Sequence, residues 1–381
     1  MVTEEEILDQ ARRSTGLSDF GESEEFRVGL RVLIASAAEE DLTDAQRQTL
    51  ERTWLANLEV RLRLVDERKR HPEIADEVIE GPLVVIGLPR TGTTTLVELL
   101  AQDPAARAPL QWEIPNLFPP PSKATWATDP RIAALQAEYD KNALTSPIYR
   151  QGLRTPLATS PEECNLITAI DFWSSNLSAY AYLPRYVEWQ QFTLPRRPYL
   201  AHKWVLQHLQ AHGPAGRWTL KSPNHCFALP SFVAEYPGAM FVQNHREPAE
   251  LVVSIAGMLS IVRGFPPGHP GRAITAREQL EEWGLAMQRS MAARADPALD
   301  ARVLDISHRA MVKDPAGTFR RIYERFGLPL TEAAKARVAA WAQSPTQRKS
   351  EARFTLEDFG LTQAEVDQAF GPYRERFAEY L

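Results

Sequence analysis

The sequence contains few cysteines: Cys164 and Cys226 are the only two among its 381 residues. Two cysteines are too few for the disulfide framework of a small secreted protein. The sequence also lacks any apolar run that approaches the roughly 18 residues of a transmembrane helix. Its first residues include Glu4, Glu5 and Glu6, unlike the basic start of a signal peptide. These absences predict a cytoplasmic protein without stable membrane insertion.

Positive charge is the minority charge in this sequence. Its 43 Lys and Arg residues face 49 Asp and Glu residues, which gives a formal net charge of −6. A nucleic-acid-binding protein needs a broad excess of positive charge, so no nucleic-acid partner is expected. Any anion site must therefore be a local concentration of cations. The length and the hydrophobic content of 44% are sufficient for a sizeable core.

Residues 83–100 predict a strand, a tight turn and a helix in succession. Residues 83–86 form an unbroken apolar run, which is typical of a strand buried on both faces. Gly87 and Gly92 interrupt regular structure, and residues 93–100 place leucines on one helical face. The first N–H groups of a helix have no partner within it, and its dipole favours negative charge there. The segment therefore predicts a site for a phosphate-type anion.

The spacing of Gly87 and Gly92 matches the triphosphate-binding motif G-x-x-x-x-G-K-[ST], but Thr93 replaces the lysine. Arg90 is the only cation of the loop. A small-molecule kinase that uses magnesium and ATP is one alternative for such a loop, and a non-catalytic nucleotide-binding protein is another. Magnesium-dependent ATP hydrolysis would favour the kinase.

Residues 1–80 predict a helical extension ahead of an α/β domain over residues 81–381. Thr43 can cap a helix that runs to about Arg70, with apolar residues near helical spacing. Such a helix most often packs against its own chain or against a second copy. The extension therefore permits a homodimer without requiring one.

Two later segments carry polar residues beside predicted strand ends. Lys221 ends one short strand, at the edge where ligands bind in open α/β sheets, and His225 follows in the next helical turn. Arg246 ends another strand, and Ser254 lies about two helical turns further on. An arginine fork with a hydroxyl can hold one phosphate group.

Glu113 lies next to Trp112, between prolines that leave room for only a short strand or a bend. A carboxylate beside an indole can act as a general base. The alternative is a surface glutamate or one paired with an arginine. Further on, Ser160 and Pro161 predict the start of a helix, and its aromatic-rich continuation over residues 164–182 belongs to the core or lines an apolar acceptor pocket.

These motifs together resemble the sulfotransferases that use 3′-phosphoadenosine 5′-phosphosulfate (PAPS). The resemblance is greatest to a bacterial group whose first loop reads GLPRTGTT or GLPRSGTT, and it covers roughly residues 81–375. The order and spacing of the stretches are specific, although each is modest alone. The stretches are GLPRTGTT at 87–94, WE at 112–113, EEC at 162–164, LKSP at 220–223, HREP at 245–248 and EDFGL at 357–361.

The resemblance implies an α/β fold: a P-loop-like three-layer sandwich with a central, mostly parallel sheet and added helices. It also implies transfer of a sulfuryl group from PAPS to a hydroxyl or amine of a small-molecule acceptor. The product of the donor would be 3′,5′-bisphosphoadenosine, and no metal would be required. The aromatic content of residues 164–204 suggests an apolar or aromatic acceptor, but core packing explains it equally well.

The resemblance assigns the two ends of PAPS to different residues. Arg246 and Ser254 would bind the 3′-phosphate. Arg348 and Lys349 resemble part of an Arg-Lys-Gly element that also binds this phosphate, but a serine replaces the glycine. The 5′-phosphosulfate would be bound by the first loop, namely by Arg90, Thr91, Gly92, Thr93 and Thr94.

The resemblance also implies catalytic roles. Glu113 occupies the position of the usual base, and His225 is the other candidate for that role. Lys221 and Arg90 would stabilise the charge that develops on the leaving phosphate and on the bridging oxygen.

Overall fold

The computed structural model describes residues 1–146, 155–343 and 354–381. The chain forms two compact units. Unit 1 comprises Met1–Ile79, Glu113–Asp129 and Glu163–Pro214, and unit 2 comprises Glu80–Trp112, Pro130–Glu162 and Ala215–Leu381. Whether residues 1–80 fold as a domain of their own stays a prediction.

Strands and helices are numbered along the chain. The strands of the described residues are β1 (Leu83–Ile86), β2 (Ala106–Arg107), β3 (Arg217–Lys221), β4 (Met240–His245) and β5 (Val303–Ser307). The helices of the described residues are α1 (Glu4–Thr15), α2 (Glu25–Glu39), α3 (Asp44–Arg70), α4 (Thr93–Leu100), α5 (Pro130–Thr145), α6 (Cys164–Thr168), α7 (Pro184–Phe192), α8 (Leu200–His212), α9 (Leu229–Glu235), α10 (Pro248–Val262), α11 (Gly271–Ala293), α12 (Pro297–Asp300), α13 (His308–Lys313), α14 (Pro315–Arg325), α15 (Glu332–Ala342) and α16 (Gln363–Arg376).

In unit 1, α3 begins and ends where the sequence predicts. The side chain of Thr43 accepts a hydrogen bond from the Gln46 backbone, and the Gln46 side chain accepts one from the Thr43 backbone. This reciprocal capping box fixes the start of the helix. One face of α3 is fully buried in a cluster with residues of α1, α2 and α7, through Leu50, Trp54, Leu58 and Leu62. The helix is therefore a packing element of this unit.

The prediction of one helix that begins after Ser160 and continues to residue 182 is wrong, because the helix α6 begins only at Cys164. The helix α6 ends at Thr168, and two 3₁₀ turns follow at Ala169–Asp171 and Ser175–Ser178. The Ser174 hydroxyl donates to the Asn165 carbonyl at 2.7 Å, which satisfies a helical carbonyl from outside the helix. The left-handed backbone of Phe172, with a φ of 56°, ends the helical course between these turns.

In unit 2, the five strands form a parallel sheet in the order β2-β3-β1-β4-β5. All four residues of β1 are fully buried, as predicted from its apolar run. Because the strands are parallel, all their carboxyl ends lie at one edge of the sheet. Side chains that follow β1, β3 and β4 can therefore meet at that edge.

Helices cover both faces of this sheet. On one face, residues of β1, β4 and β5 share a hydrophobic cluster with residues of α4, α14 and α15. On the other face, Phe241 of β4 lies edge-to-face with Phe232 of α9, with ring centroids 5.7 Å apart. The predicted α/β architecture with a central parallel sheet is confirmed.

The two long helices of the described residues are α3, with 27 residues, and α11, with 23. Both carry charged residues along their length. No helix of the described part is long and apolar enough to cross a membrane.

Candidate active site

The loop after β1 has an unusual backbone. Gly87, Arg90 and Gly92 have φ angles of 129°, 66° and 87°. Arg90 is one of the few residues other than glycine with a positive φ, a conformation that costs energy and often occurs at functional sites. Gly92 is the N-cap of α4 and has no side chain to accept from the first N–H groups of the helix. Those groups remain suited to an anion.

Asn244, near the end of β4, fixes this loop. Its Nδ2 atom donates to the Thr91 carbonyl at 2.6 Å, and the residue is buried. A Cβ atom on Gly87 would lie 2.6 Å from the Asn244 carbonyl oxygen, so only glycine allows this close approach. Sequence reasoning missed Asn244, although a polar amide in a buried strand was a signal that could have found it.

His308, which follows β5, contacts the loop after β1. It is the first residue of α13, directly after the carboxyl end of β5. A Cβ atom on Gly92 would lie 2.5 Å from its Nδ1 atom. Burial, together with the charge of Arg246, lowers the pKa of His308 to about 4. The ring is therefore neutral at pH 7. Sequence reasoning missed His308, although its position directly after a strand was a signal that it lies at the edge of the sheet where ligands bind.

Three of the predicted site residues come together at the carboxyl edge of the sheet. The Arg90 Nε atom donates to the Ser254 hydroxyl at 3.1 Å. The Arg246 Nη1 atom donates to the Arg90 carbonyl at 3.1 Å. Two guanidinium groups and a hydroxyl thus concentrate positive charge and donors in a chain with a negative net charge.

Arg246 has a further partner in Glu250, one helical turn along α10. Its Nε and Nη2 atoms each lie 2.8 Å from Glu250 Oε2. The side chain of Arg246 is 33% exposed, and that of Glu250 is 48% exposed. An anion that binds Arg246 must therefore share the guanidinium with Glu250 or displace it.

Lys221 lies beside the start of α4. Its partner in the sheet register is Val85 of β1, which brings the end of β3 next to the loop. The Lys221 Nζ atom donates to the Thr94 hydroxyl at 3.3 Å, and the residue is only 2% exposed. A buried ammonium at the N-terminus of a helix adds a full charge to the helix dipole.

His225 lies in the 3₁₀ turn Pro223–Phe227, whose N-cap is Ser222. The residue is buried. Its ring contacts Phe232 of α9 edge-on, with centroids 4.6 Å apart. This contact is typical of a packed ring, and the role of His225 as a base stays a prediction.

Glu113 belongs to unit 1. It is 1% exposed, and the indole Nε1 of Trp126 donates to its Oε1 atom at 2.6 Å. Because an indole N–H can only donate, the carboxylate must accept here. The predicted phosphate-binding residues Arg348 and Lys349 lie outside the described residues.

A buried polar network holds the end of β4, directly before Arg246. The His245 Nε2 atom lies 2.8 Å from Asp305 Oδ1, and the Arg294 guanidinium binds both oxygens of Asp305 at 2.8 and 2.7 Å. Burial alone would raise the pKa of Asp305, but these hydrogen bonds lower it to about 2. The charged carboxylate thereby joins β4, β5 and the segment after α11.

The parallel sheet, the loop after β1 and the helix that follows it are those of a P-loop-like α/β protein. A sequence model of the sulfotransferase family matches residues 82–332. The chain therefore belongs to the sulfotransferase family, and it is a transferase of sulfuryl groups. The resemblance stated from the sequence motifs is confirmed.

Two solved structures are similar to this chain over nearly all of its length. Sulfotransferase STF9 from Mycobacterium avium is 29% identical with a TM-score of 0.88, over 99% of this chain and 97% of that one. Sulfotransferase STF1 from Mycobacterium tuberculosis H37Rv is 30% identical with a TM-score of 0.82, over 97% and 99%. No curated protein sequence matches the chain significantly.

Proposed function

We propose that this sulfotransferase takes its sulfuryl group from PAPS and transfers it to a hydroxyl or amine of a small-molecule acceptor. The observation that carries the proposal is the contact of Arg90 with both Ser254 and Arg246. PAPS has an anion at each end of its ribose, and the 3′-phosphate distinguishes it from ATP. The Arg246 guanidinium and the Ser254 hydroxyl suit that 3′-phosphate, because a planar fork and a hydroxyl both donate to phosphate oxygens.

The 5′-phosphosulfate would bind the loop after β1. The first N–H groups of α4 and the hydroxyls of Thr93 and Thr94 supply donors there, and Arg90 and Lys221 supply charge. In the transfer, the acceptor oxygen or nitrogen forms a bond to sulfur while the bond from sulfur to the bridging oxygen breaks. The leaving nucleotide keeps the electron pair, and Lys221 beside Thr94 would stabilise the resulting charge.

The sulfuryl group carries less charge than a terminal phosphoryl group. We therefore propose that the amides and cations of this site replace the metal ion of kinases, so that the transfer step needs no metal. The position of Thr93, where a triphosphate-binding loop has lysine, supports the same distinction.

Glu113 is the proposed base that takes the proton of the acceptor. Its carboxylate is buried, and the Trp126 indole holds one of its oxygens in place. A base that is fixed in this way loses little freedom when it accepts a proton. His225 remains the second candidate for this role.

The test is a nucleotide-binding comparison combined with a transfer assay. Isotope-labelled PAPS is offered with a panel of acceptors, and mass spectrometry detects the added sulfo group. Calorimetry then compares 3′,5′-bisphosphoadenosine with adenosine 5′-phosphate in the wild type and in Arg246→Ala. Hydrogen bonds to charged groups contribute about 1.5–3 kcal/mol, so the variant should bind the bisphosphate about 10- to 100-fold more weakly.

The comparison of the two nucleotides decides the role of Arg246. Adenosine 5′-phosphate lacks the 3′-phosphate, so its affinity should change little in Arg246→Ala. Arg277→Ala is the matched control, because Arg277 is a half-exposed arginine of α11 that is paired with Glu365. An equal loss of both nucleotides in Arg246→Ala would contradict the proposed 3′-phosphate site.

A further inference from the structure

Three potential metal ligands meet in unit 1, at the carboxyl ends of α3 and α8. They are Glu67, His208 and His212, and one ligand atom of each lies within 4.8 Å of the other two. His208 and His212 are four residues apart on α8, so they lie on the same helical face. Their ring centroids are 4.8 Å apart. Two imidazoles and a carboxylate are a donor set found in zinc sites.

His208 has the tautomer that a metal ligand requires. Its Nε2 atom lies 3.1 Å from the Leu117 carbonyl oxygen, which can only accept, so Nε2 carries the hydrogen. The Nδ1 atom therefore has the lone pair, and it has no hydrogen-bond partner among the described residues. His208 is 1% exposed, and its Nδ1 atom is itself buried. A backbone carbonyl behind the ring is typical of metal-binding histidines.

Glu67 and His212 already lie at a separation that suits two ligands of one ion. His212 Nε2 is 3.2 Å from Glu67 Oε1, but it makes no well-oriented hydrogen bond with any residue in the described ranges. Two nitrogen or oxygen ligands of tetrahedral zinc lie about 3.3 Å apart, given bond lengths of about 2.0–2.1 Å. The three ligand atoms lie within 4.8 Å of one another, so side-chain rotations that shorten the longest separation by up to about 1.5 Å would bring them to this spacing.

The charged groups around Glu67 have a net negative charge, which favours the binding of a cation. Its other oxygen, Oε2, accepts from Arg70 Nη2 at 2.8 Å, and Arg70 Nε donates to Asp66 at 2.8 Å. Two carboxylates thus share one guanidinium, which leaves one negative charge. Glu67 is buried, whereas the His212 side chain is 26% exposed, so an ion can reach the cluster from the His212 side.

We infer that Glu67 Oε1, His208 Nδ1 and His212 Nε2 form a binding site for Zn²⁺ or a similar divalent cation that prefers imidazole ligands. Water would complete the coordination. Ions such as Mg²⁺ and Ca²⁺ prefer oxygen ligands and should bind poorly. The ion would join α3, α8 and, through the Leu117 carbonyl, the segment 113–129. The site belongs to unit 1, which also contains the proposed base Glu113, whereas Arg90 and Lys221 belong to unit 2.

The test uses the full chain without an affinity tag, stripped of metal with a chelator and dialysed. Equilibrium dialysis with Zn²⁺, followed by elemental analysis, should give one equivalent per chain. Co²⁺ should give the visible absorption of a tetrahedral site, and Zn²⁺ should abolish it by displacement. The variants Glu67→Gln and His212→Gln should each weaken Zn²⁺ binding at least about 100-fold, since even residues that only support metal ligands cost 10- to 100-fold.

His71→Gln is the matched control. His71 lies just after the end of α3 and is 3.2 Å from Glu73, so it is an exposed His–Glu pair outside the three-ligand cluster. Its loss should leave Zn²⁺ binding unchanged. Circular dichroism would verify that each variant is folded. A wild-type chain that binds no Zn²⁺, or folded Glu67→Gln and His212→Gln variants that bind it as the wild type does, would overturn the inference.

Discussion

Gly92→Ala is the sharpest test of how the loop after β1 is built. The φ angle of Gly92 is 87°, and an added Cβ atom would lie 2.5 Å from His308 Nδ1 and 3.2 Å from Met311 Cε. A left-handed conformation costs about 1–2 kcal/mol for a residue other than glycine. The contact with His308 is closer than carbon and nitrogen atoms tolerate, so α13 or the loop must move.

The magnitude follows from these two effects. Forcing an extra carbon into a packed region costs about 1–3 kcal/mol. Together with the backbone strain, this cost should lower the free energy of unfolding by about 2–5 kcal/mol. Part of the clash can be relieved by displacing the loop, which would misplace the N–H groups of α4. Affinity for 3′,5′-bisphosphoadenosine should then fall as well.

Two further variants separate strain from clash. Gly264 has a similar φ of 78°, but a Cβ atom there would meet nothing within 4 Å. Gly264→Ala should therefore cost only the strain, about 1–2 kcal/mol. The double variant Gly92→Ala/His308→Ala lacks the His308 ring, so most of the clash should disappear. His308→Ala should therefore lower the free energy of unfolding less in the Gly92→Ala variant than in the wild type.

Urea unfolding at pH 7 measures the stabilities, and calorimetry with the bisphosphate measures the site. If Gly92→Ala is no more destabilising than Gly264→Ala and binds the bisphosphate as the wild type does, then His308 does not restrict the loop. If His308→Ala costs the same with and without the alanine at position 92, the two residues are not coupled.

Two further predictions concern the base and the buried network. Glu113→Gln should lower the transfer rate, measured by single-turnover kinetics, by about 10²–10⁴. Its affinity for the bisphosphate, measured by calorimetry, should not change. If His225→Gln shows this loss of rate and Glu113→Gln does not, the base is His225. The pKa of Asp305 falls from 3.8 to about 2 on folding. The charged carboxylate therefore stabilises the fold by about 2 kcal/mol above about pH 4, and this stabilisation is lost as the pH falls toward 2. Urea unfolding from pH 6 to pH 2 should show this loss in the wild type, and Asp305→Asn should lack it; equal pH dependence would refute the assignment.

Local sequence signals predicted the first strand, its loop and the following helix closely. Residues 83–86 and 93–100 are the bounds of β1 and α4. The signals of these elements lie within a few residues: an unbroken apolar run and the glycines of the turn.

The sequence could not predict the residues that hold the loop from other strands. Asn244 and His308 follow Thr91 and Gly92 by more than 150 residues, and nothing local connects them. Their contacts depend on which strands are neighbours. The mistaken helix has a different cause: Phe172 has a φ of 56°, which ends the helical course although the apolar pattern continues.

The sheet order explains how an acidic chain can assemble a cationic site. In the order β2-β3-β1-β4-β5, β1 lies between β3 and β4, so the residues after all three strands share one edge. Lys221 therefore reaches Thr94, and Arg246 reaches the Arg90 carbonyl, across 127 and 156 residues of sequence. Three cations gather there because of strand adjacency, while the net charge of the whole chain stays at −6. A family member in which β3 and β4 were both displaced from β1 would lose these contacts even if every one of these residues were kept.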